Sequence, residues 1–192
     1  MNSIIDVIGA LIAGTVVIIT IILTIINVQK IKYNTETMLN LYSSGDIYVS
    51  SIDQGFLEKV GLNLYNDEAP ITIANQNIFE FRAKETRTAT SMDTYRIFTT
   101  TTNNNRSLII TENGTEVFAT TPVFIGTGDI FTYYDGGNPP LPTFDTALIH
   151  SVKVDLTFLA PAWNENILKP NLEYPITFWR YFKNVYIDNP RP

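Results

Sequence analysis

The sequence predicts an α+β protein in which one long N-terminal helix precedes an antiparallel β-sheet. Residues 7–26 carry no charge and lead into an apolar stripe of helical period, whereas from Ile71 onward apolar and polar residues alternate. The second half of the helix is expected to pack on the sheet, because each element has to bury its apolar face. We therefore predict a membrane-spanning half of the helix over residues 1–28, an amphipathic half over 29–60 and a β domain over 61–192.

The uncharged run is long enough to cross a bilayer as one helix. Asp6 precedes it and Lys30 is the next charged residue, so the run meets the requirement of about 20 apolar residues. The basic start, short apolar core and cleavage site of a secretory signal are absent from the sequence, which favours an uncleaved anchor. The sequence thus predicts a single-pass membrane protein.

The orientation of this anchor is ambiguous from the sequence. Lys and Arg are absent before the run, whereas Lys30 and Lys32 follow it. The positive-inside rule alone therefore places the β domain in the cytoplasm. A basic leader upstream of Met1 would reverse this bias and place the β domain outside, in the periplasm or at the cell surface.

An amphipathic stripe extends the helix beyond the anchor. Its members recur at alternating steps of three and four, as expected for one buried helix face. They are Val28, Ile31, Thr35, Met38, Tyr42, Gly45, Val49, Ile52, Phe56 and Val60. Because Gly destabilises a helix interior by about 1 kcal/mol relative to Ala, we expect a bend or break at Gly45. The turn-rich residues 61–70 should then end the helix.

Seven short segments rich in β-formers follow, separated by turn residues. They are 77–85, 94–102, 106–112, 115–121, 129–135, 151–159 and 174–188. Asn113 and Gly114 are predicted to form a two-residue hairpin turn with positive φ angles. The strict alternation in 151–159 predicts a half-buried strand, and 174–188 is long enough for one strand or two joined by a bend. The domain is therefore predicted to be a sheet of hairpins.

Composition and motifs argue against several functions. A net charge of −6, with no cluster of Lys and Arg, disfavours nucleic acid as a partner, and the absence of cysteine excludes disulfides and thiolate metal sites. His150 lies between Asp145 and Ser151, but neighbours on a strand point to opposite faces and do not form a catalytic relay. Residues 126–129, GTGD, are too short for a phosphate loop, and 135–138, DGGN, are better explained as a turn than as a calcium site. We predict no catalytic residue, no metal and no cofactor.

The opening of the chain resembles the type IV pilin and type II secretion pseudopilin family. Members start with a small or hydroxyl residue, two aliphatic residues, an acid and an aliphatic run, as in Ser3, Ile4, Ile5, Asp6 and Val7. Residues 45–63 are similar to the end of the long helix in larger minor pilins and J-type pseudopilins. Residues 147–161 and 175–189 are similar to the closing strands of these proteins. The resemblance covers most of the chain in pattern, and only the opening is a motif.

The resemblance implies that the chain is a structural subunit of a filament and not an enzyme. Its partners would be other pilin or pseudopilin subunits, identical or different, and membrane lipid before assembly. The acid, Asp6, would pair with the free amino terminus of a neighbouring subunit, because a carboxylate in hydrocarbon is costly unless it is paired. The residues implied to pack in the filament core are Ile5, Val7, Gly9, Leu11 and Gly14.

Three points depart from the family pattern or stay open. The family usually has Glu where this chain has Asp6, and its members are cut after a glycine that ends a basic leader, whereas Met1 stands at that position if Asn2 is the first mature residue. A gene start placed too far downstream, a mature chain beginning at Met1, or a lack of processing would each explain this. Asp6 could also simply favour the helix start through the helix dipole.

Three functional alternatives follow. The resemblance to larger minor pilins favours a minor subunit that caps or primes a pilus or pseudopilus. The chain could instead be a main subunit that polymerises with itself. It could also be a membrane-tethered binding domain, such as a surface adhesin, that forms no filament.

Overall fold

A computed structural model describes residues 2–65, 68–103, 105–121, 123–163 and 171–183. The helix α1 spans Asn2–Ser50 and continues into a π-helical turn, Ser51–Phe56, and a 3-10 turn, Leu57–Lys59. The strands within the described ranges are β1 (Ile71–Asn75), β2 (Ile78–Ala83), β3 (Asp93–Thr102), β4 (Asn105–Glu112), β5 (Thr115–Ala119), β6 (Phe124–Ile125), β7 (Phe131–Asp135), β8 (Ile149–Pro161) and β9 (Asn171–Tyr181). The order of one long helix followed by strands confirms the predicted α+β class.

The chain forms two compact units. The first comprises Met1–Asn40 with Pro161–Leu172, and the second comprises Leu41–Ala160 with Glu173–Pro192. In the first unit, the Asn34 side chain pairs with the backbone of Trp163. Its Oδ1 accepts a hydrogen bond from the Trp163 N–H at 2.8 Å, and its Nδ2 donates to the Trp163 carbonyl oxygen at 3.2 Å. The indole ring of Trp163 also meets the ring of Tyr33 edge-on, at 6.1 Å between centroids.

The strands of the described residues form a nine-stranded sheet, most of which lies in the second unit. Its main order is β1-β2-β3-β4-β6-β8-β7, with β5 paired to β4 and β9 paired to β8. The registered pairs are antiparallel, as expected for strands joined by short turns.

The sheet curls until its two ends almost meet. The backbone N–H groups of Ile130 and Phe131 both donate to the carbonyl oxygen of Gln76, at 2.9 and 3.0 Å. The Tyr133 hydroxyl reaches the carbonyl oxygens of Asn75 and Ile78 at 3.0 and 3.2 Å. These bonds join the start of β7 to the turn between β1 and β2, so the strands surround a nearly closed core.

The side chain of one arginine stabilises this nearly closed arrangement of the strands. Arg106, on β4, donates to the carbonyl oxygens of Gly126 and Gly128, both at 2.7 Å. Its other terminal nitrogen donates to Asn77 Oδ1 at 2.6 Å and to Thr99 Oγ1 at 3.3 Å. A planar guanidinium suits this task because it presents several donors in a fixed geometry.

The C-terminal part of the helix packs into the core of the second unit. Leu41, Ile52 and Leu57 are almost completely buried. The ring of Tyr48 lies 5.9 Å from Phe158 on β8, and the ring of Phe56 lies 6.3 Å from Tyr95 on β3. Arg180 on β9 forms an ion pair with Asp53 in the π-helical turn at 3.3 Å. The sheet thus encloses one face of the helical segment from Leu41 onward.

The predicted stripe is correct only in its second half. Met38, Gly45, Val49, Ile52, Phe56 and Val60 are buried or half-buried, whereas Val28, Ile31, Thr35 and Tyr42 are exposed. Leu41, which the stripe omitted, is buried. Leu41 lies one helical turn before Gly45 on the covered face, whereas Val28, Ile31 and Thr35 precede the part of the helix that belongs to the second unit.

The prediction of a break at Gly45 is wrong. The α-helix runs through Gly45 to Ser50, and the change of helical geometry begins only at Ser51. A Cβ atom at Gly45 would lie 2.9 Å from Tyr174 Cδ1 and 3.0 Å from Phe158 Cδ2. Glycine is therefore explained by close packing against two aromatic rings, and tertiary contact overrides its low helix propensity.

The strand predictions agree closely with the structure. The hairpin turn is confirmed, because Asn113 and Gly114 have φ angles of 52° and 85°. In β8, Val152, Val154, Leu156 and Phe158 are buried while the residues between them are half-buried. The short strands β1 and β6 were not predicted as elements. The last strand is continuous over Asn171–Tyr181, and the part of its predicted range beyond Lys183 lies outside the described residues.

Candidate functional site

The most distinctive surface of the first unit is the apolar start of α1. The side chains of residues 3–29 are all exposed. The helical stretch Ser3–Lys59 is long and apolar enough to span a membrane. Its polar Thr15, Thr20 and Thr24 hydroxyls donate to the carbonyl oxygens four residues earlier, at 2.8 to 2.9 Å. These bonds satisfy the hydroxyl groups within the helix, as an apolar environment requires.

Asp6 is the fifth residue of α1 and is exposed. Gly9, Ala10 and Ala13 follow it at spacings of three, four and seven residues, so all three share its helix face. Apart from the adjoining helix backbone, a Cβ atom placed on Gly9 would meet no atom of the described residues within 4 Å. The small residues therefore leave open space beside the carboxylate, which a neighbouring helix or chain terminus can enter.

The other residues predicted to form the filament core do not share one face. Ile5 and Val7 lie on either side of Asp6, and Leu11 lies nearly opposite to it, from the 3.6-residue period of the helix. A Cβ atom on Gly14 also meets nothing within 4 Å. All five positions are exposed, so the set surrounds the helix and no single contact surface contains all of it.

A cleft in the second unit was not predicted from the sequence. It has a volume of about 630 Å³ and lies between the end of β7, the start of β8 and the end of β9. Its walls include Asp135, Gly136, His150, Tyr181 and Phe182. The Phe182 N–H donates to the His150 carbonyl oxygen at 2.9 Å, which holds the chain after β9 beside β8.

Two polar side chains of this cleft are held in fixed positions. The Asp135 carboxylate accepts hydrogen bonds from the backbone N–H groups of Gly137 and Leu141, at 3.0 and 2.8 Å. His150 Nδ1 lies 2.8 Å from the Leu148 carbonyl oxygen. Because a carbonyl oxygen only accepts, Nδ1 carries the proton in this bond. In a Ser-His-Asp relay that Nδ1–H group is directed to a carboxylate, so the arrangement differs from a relay.

An exposed aromatic shelf, formed by Trp179 and Tyr181, borders the cleft. Both residues lie on the exposed side of β9, where they are 45% and 67% exposed. The indole of Trp179 packs on the ring of Tyr134, at 4.8 Å between centroids. On the neighbouring part of β8, Lys153 pairs with Asp155 at 2.8 Å, and this hydrogen bond raises the pKa of the Lys153 ammonium group.

The spacing of residues along the sequence does not predict this cleft. Asp135, His150 and Tyr181 come from three different strands and meet only because β7 and β9 both pair with β8. The one available signal is the alternation in β9, which places Trp179 and Tyr181 on the same face. The DGGN segment, by contrast, behaves as the predicted turn, with the Asp135 side chain bonded to the Gly137 N–H.

Comparison with known proteins gives no relative. No family model, no curated protein and no solved structure matches the chain.

Proposed function

We propose that this protein is a structural subunit of a filament of the type IV pilus or type II secretion pseudopilus kind, and a minor component of it. The observation that carries the proposal is the helix α1. Its start is apolar and exposed over residues 3–29, whereas the same helix from Leu41 onward is packed in the β domain. Such an apolar surface needs a cover, either lipid or the helices of other subunits.

Asp6 supports assembly over simple anchoring. A carboxylate within an apolar helix is destabilising in lipid unless it has a partner. Small residues on the same face leave room for that partner to approach. A neighbouring subunit's amino terminus has the required positive charge, so pairing would lower the cost of keeping Asp6 and also set the position of each added subunit.

A membrane-tethered binding domain is the second candidate. It is favoured by the cleft and the aromatic shelf, which are features of a ligand site and have no part in helix packing. A main subunit that polymerises with itself is the remaining alternative. The exposed apolar start of α1 supports a main subunit and a minor subunit equally.

Replacement of Asp6 separates assembly from anchoring. We expect Asp6→Ala to insert in the membrane like the wild type, because an apolar substitution favours insertion, but to be lost from sheared filaments. Asp6→Glu keeps the charge and should restore incorporation. Thr15→Ala, a change on the same exposed helix, serves as the control and should assemble normally.

The experiment measures the protein in membrane and sheared fractions by immunoblotting. Incorporation of Asp6→Ala at the wild-type level would contradict the assembly role. If the wild type itself stays in the membrane fraction while filaments are made, the tethered binding domain replaces the filament subunit.

A further inference from the structure

We propose that the aromatic pair formed by Tyr33 and Trp163, together with Lys30, binds the phospholipid headgroup layer and fixes the depth of α1 in the membrane. The inference rests on insertion of α1 in a bilayer, which a filament subunit before assembly and a tethered binding domain share. It does not rest on filament assembly. Its residues all belong to the first unit, Met1–Asn40 with Pro161–Leu172.

The aromatic pair lies at the height of the headgroups if the uncharged run is centred in the bilayer. Residues 7–29 carry no charge, and Ile18 is their midpoint. Tyr33 lies about 22 Å further along the helix axis, at about 1.5 Å per residue. Half of a bilayer with its headgroups measures about 20–22 Å. Side chains on a helix lean toward its amino-terminal end, so the Tyr33 ring is directed back into the headgroup layer.

Both rings are exposed although their positions are fixed. The Tyr33 and Trp163 residues are 41% and 45% exposed, and their rings meet edge-on at 6.1 Å between centroids. The two hydrogen bonds from the Asn34 side chain to the Trp163 backbone, at 2.8 and 3.2 Å, hold Trp163 beside the helix. The fold therefore presents a second large aromatic side chain at the level of Tyr33.

The chemistry of the pair suits an interface between hydrocarbon and water. Neither the Tyr33 hydroxyl nor the Trp163 indole N–H has a hydrogen-bond partner among the described residues. Each side chain thus combines an apolar ring with an open polar group. The glycerol and headgroup region offers apolar contact to the rings and oxygen acceptors to both polar groups. For this reason Tyr and Trp are enriched at the two interfaces of membrane proteins.

Lys30 adds a positive charge on the membrane side of the pair. It precedes Tyr33 and Asn34 by three and four residues, so it lies on the same helix face, one turn closer to the apolar run. Lys30 forms no ion pair within the described ranges, whereas Lys32 lies 3.8 Å from the Glu36 carboxylate. A lysine at the end of a membrane helix can extend its ammonium group to the lipid phosphates.

A second copy of the chain fits this surface less well than lipid. In a two-fold contact between identical faces, each residue approaches its own counterpart. Such a contact would bring two Lys30 ammonium groups together, which is unfavourable. Lipid phosphates carry the opposite charge, so they match Lys30 as well as the two rings.

The test measures the depth of Trp163 in a bilayer. The full-length chain carrying Trp179→Phe, in which Trp163 is the single tryptophan, is reconstituted in vesicles of phosphatidylcholine and phosphatidylglycerol. Each vesicle preparation contains a lipid spin label at one depth: the headgroup, the glycerol end of the acyl chain, or its far end. We expect the first two labels to quench Trp163 emission at least about twofold more than the third.

Two variants test how the pair is held and what it contacts. Asn34→Ala removes both bonds to the Trp163 backbone and should lower the quenching by headgroup labels about twofold. Lys30→Glu places a negative charge beside the phosphates and should also lower it. Thr35→Ala, a change at the exposed residue next to Asn34, is the control and should be quenched like the parent. Near-ultraviolet circular dichroism confirms that each variant is folded.

Three results would overturn the inference in a chain that co-floats with the vesicles. The first is equal or absent quenching by the three labels. The second is the same quenching for Asn34→Ala and Thr35→Ala. The third is an emission shift that grows with the ratio of protein to lipid and occurs without headgroup quenching, which would assign the pair to a contact between copies.

Flotation separates this inference from the filament proposal. A chain that does not co-float with vesicles would contradict membrane insertion of α1, and both proposals would lose their common basis. A chain that co-floats but shows no headgroup quenching overturns only the role of the aromatic pair. Loss of Asp6→Ala from sheared filaments would still support assembly in that case.

Discussion

Replacing Gly45 by alanine tests how the helix packs into the sheet. In an open helix this change would stabilise the fold by about 1 kcal/mol, because alanine has the higher helix propensity. Here the added Cβ would lie 2.9 Å from Tyr174 Cδ1 and 3.0 Å from Phe158 Cδ2. Neither ring moves easily. Phe158 is fully buried, and the Tyr174 hydroxyl donates to Asp46 Oδ1 at 2.9 Å.

The magnitude follows from these two opposing effects. Overpacking a close-packed site costs about 1–3 kcal/mol, so after the gain in propensity we expect Gly45→Ala to lose about 1 kcal/mol of unfolding free energy. For a chain of this size that corresponds to a Tm lowered by about 2–4 °C. The assay is thermal unfolding of the full chain in detergent, followed by near-ultraviolet circular dichroism of the β domain.

Gly55→Ala is the matched control. A Cβ atom at Gly55 meets nothing within 4 Å, so its Tm should stay unchanged or rise. Shortening the clashing ring should also rescue the first variant, so Gly45→Ala combined with Tyr174→Leu should lose less than the two single changes added together. If Gly45→Ala is as stable as Gly55→Ala, the close contact of the helix with β8 and β9 is refuted.

Three further changes test other contacts. Arg106→Lys should lower the free energy of unfolding by about 2–3 kcal/mol in denaturant titration, because an ammonium group cannot reproduce the four hydrogen bonds of the guanidinium. The hydrogen bond from Lys84 to Glu68 lowers the pKa of the Glu68 carboxyl below its ordinary value of 4.5. The stabilisation by this ion pair is therefore complete above pH 4.5 and is lost as the pH falls through the lowered pKa of Glu68. Glu68→Gln should accordingly be less stable than the wild type at neutral pH and equally stable in strong acid. Asn34→Ala should speed amide hydrogen exchange at Trp163, because both of its bonds to the Trp163 backbone are removed.

Each of these has a contradicting result. Equal denaturant midpoints for Arg106→Lys and the wild type would show that the bonds to Gly126 and Gly128 do not hold the sheet closed. If the difference in unfolding free energy between Glu68→Gln and the wild type does not change with pH, the ion pair with Lys84 is not the cause of that difference. Unchanged exchange at the Trp163 amide would show that Asn34 does not hold this segment.

Local patterns explain which parts of the fold the sequence predicted. Alternation identified β8, because Val152, Val154, Leu156 and Phe158 are buried while the polar residues between them are only half-buried. The Asn113-Gly114 pair identified the hairpin between β4 and β5, because both residues tolerate positive φ. The strand β6 was missed since it is only two residues long, Phe124–Ile125, and is fixed by pairing with β4 and β8 rather than by its own sequence.

The errors came from tertiary packing. The local sequence does not distinguish a glycine that weakens a helix from one that lets an aromatic ring pack against the helix. Only the position of the Tyr174 ring shows that the second case applies at Gly45. The two candidate sites also differ in whether a local sequence feature indicates them. Asp6 was visible because a charge in an apolar run is a local anomaly, whereas the cleft joins residues such as Asp135 and Tyr181 that are far apart in the sequence.

Immunogold electron microscopy tests the filament proposal most directly. An antibody to the β domain is applied to sheared surface fractions from cells that produce the full-length protein. The proposal predicts label on thin filaments, confined to their tips or sparse along them for a minor subunit and continuous for a main one. Absence of label from the filaments, with the protein retained in the membrane fraction, would contradict it.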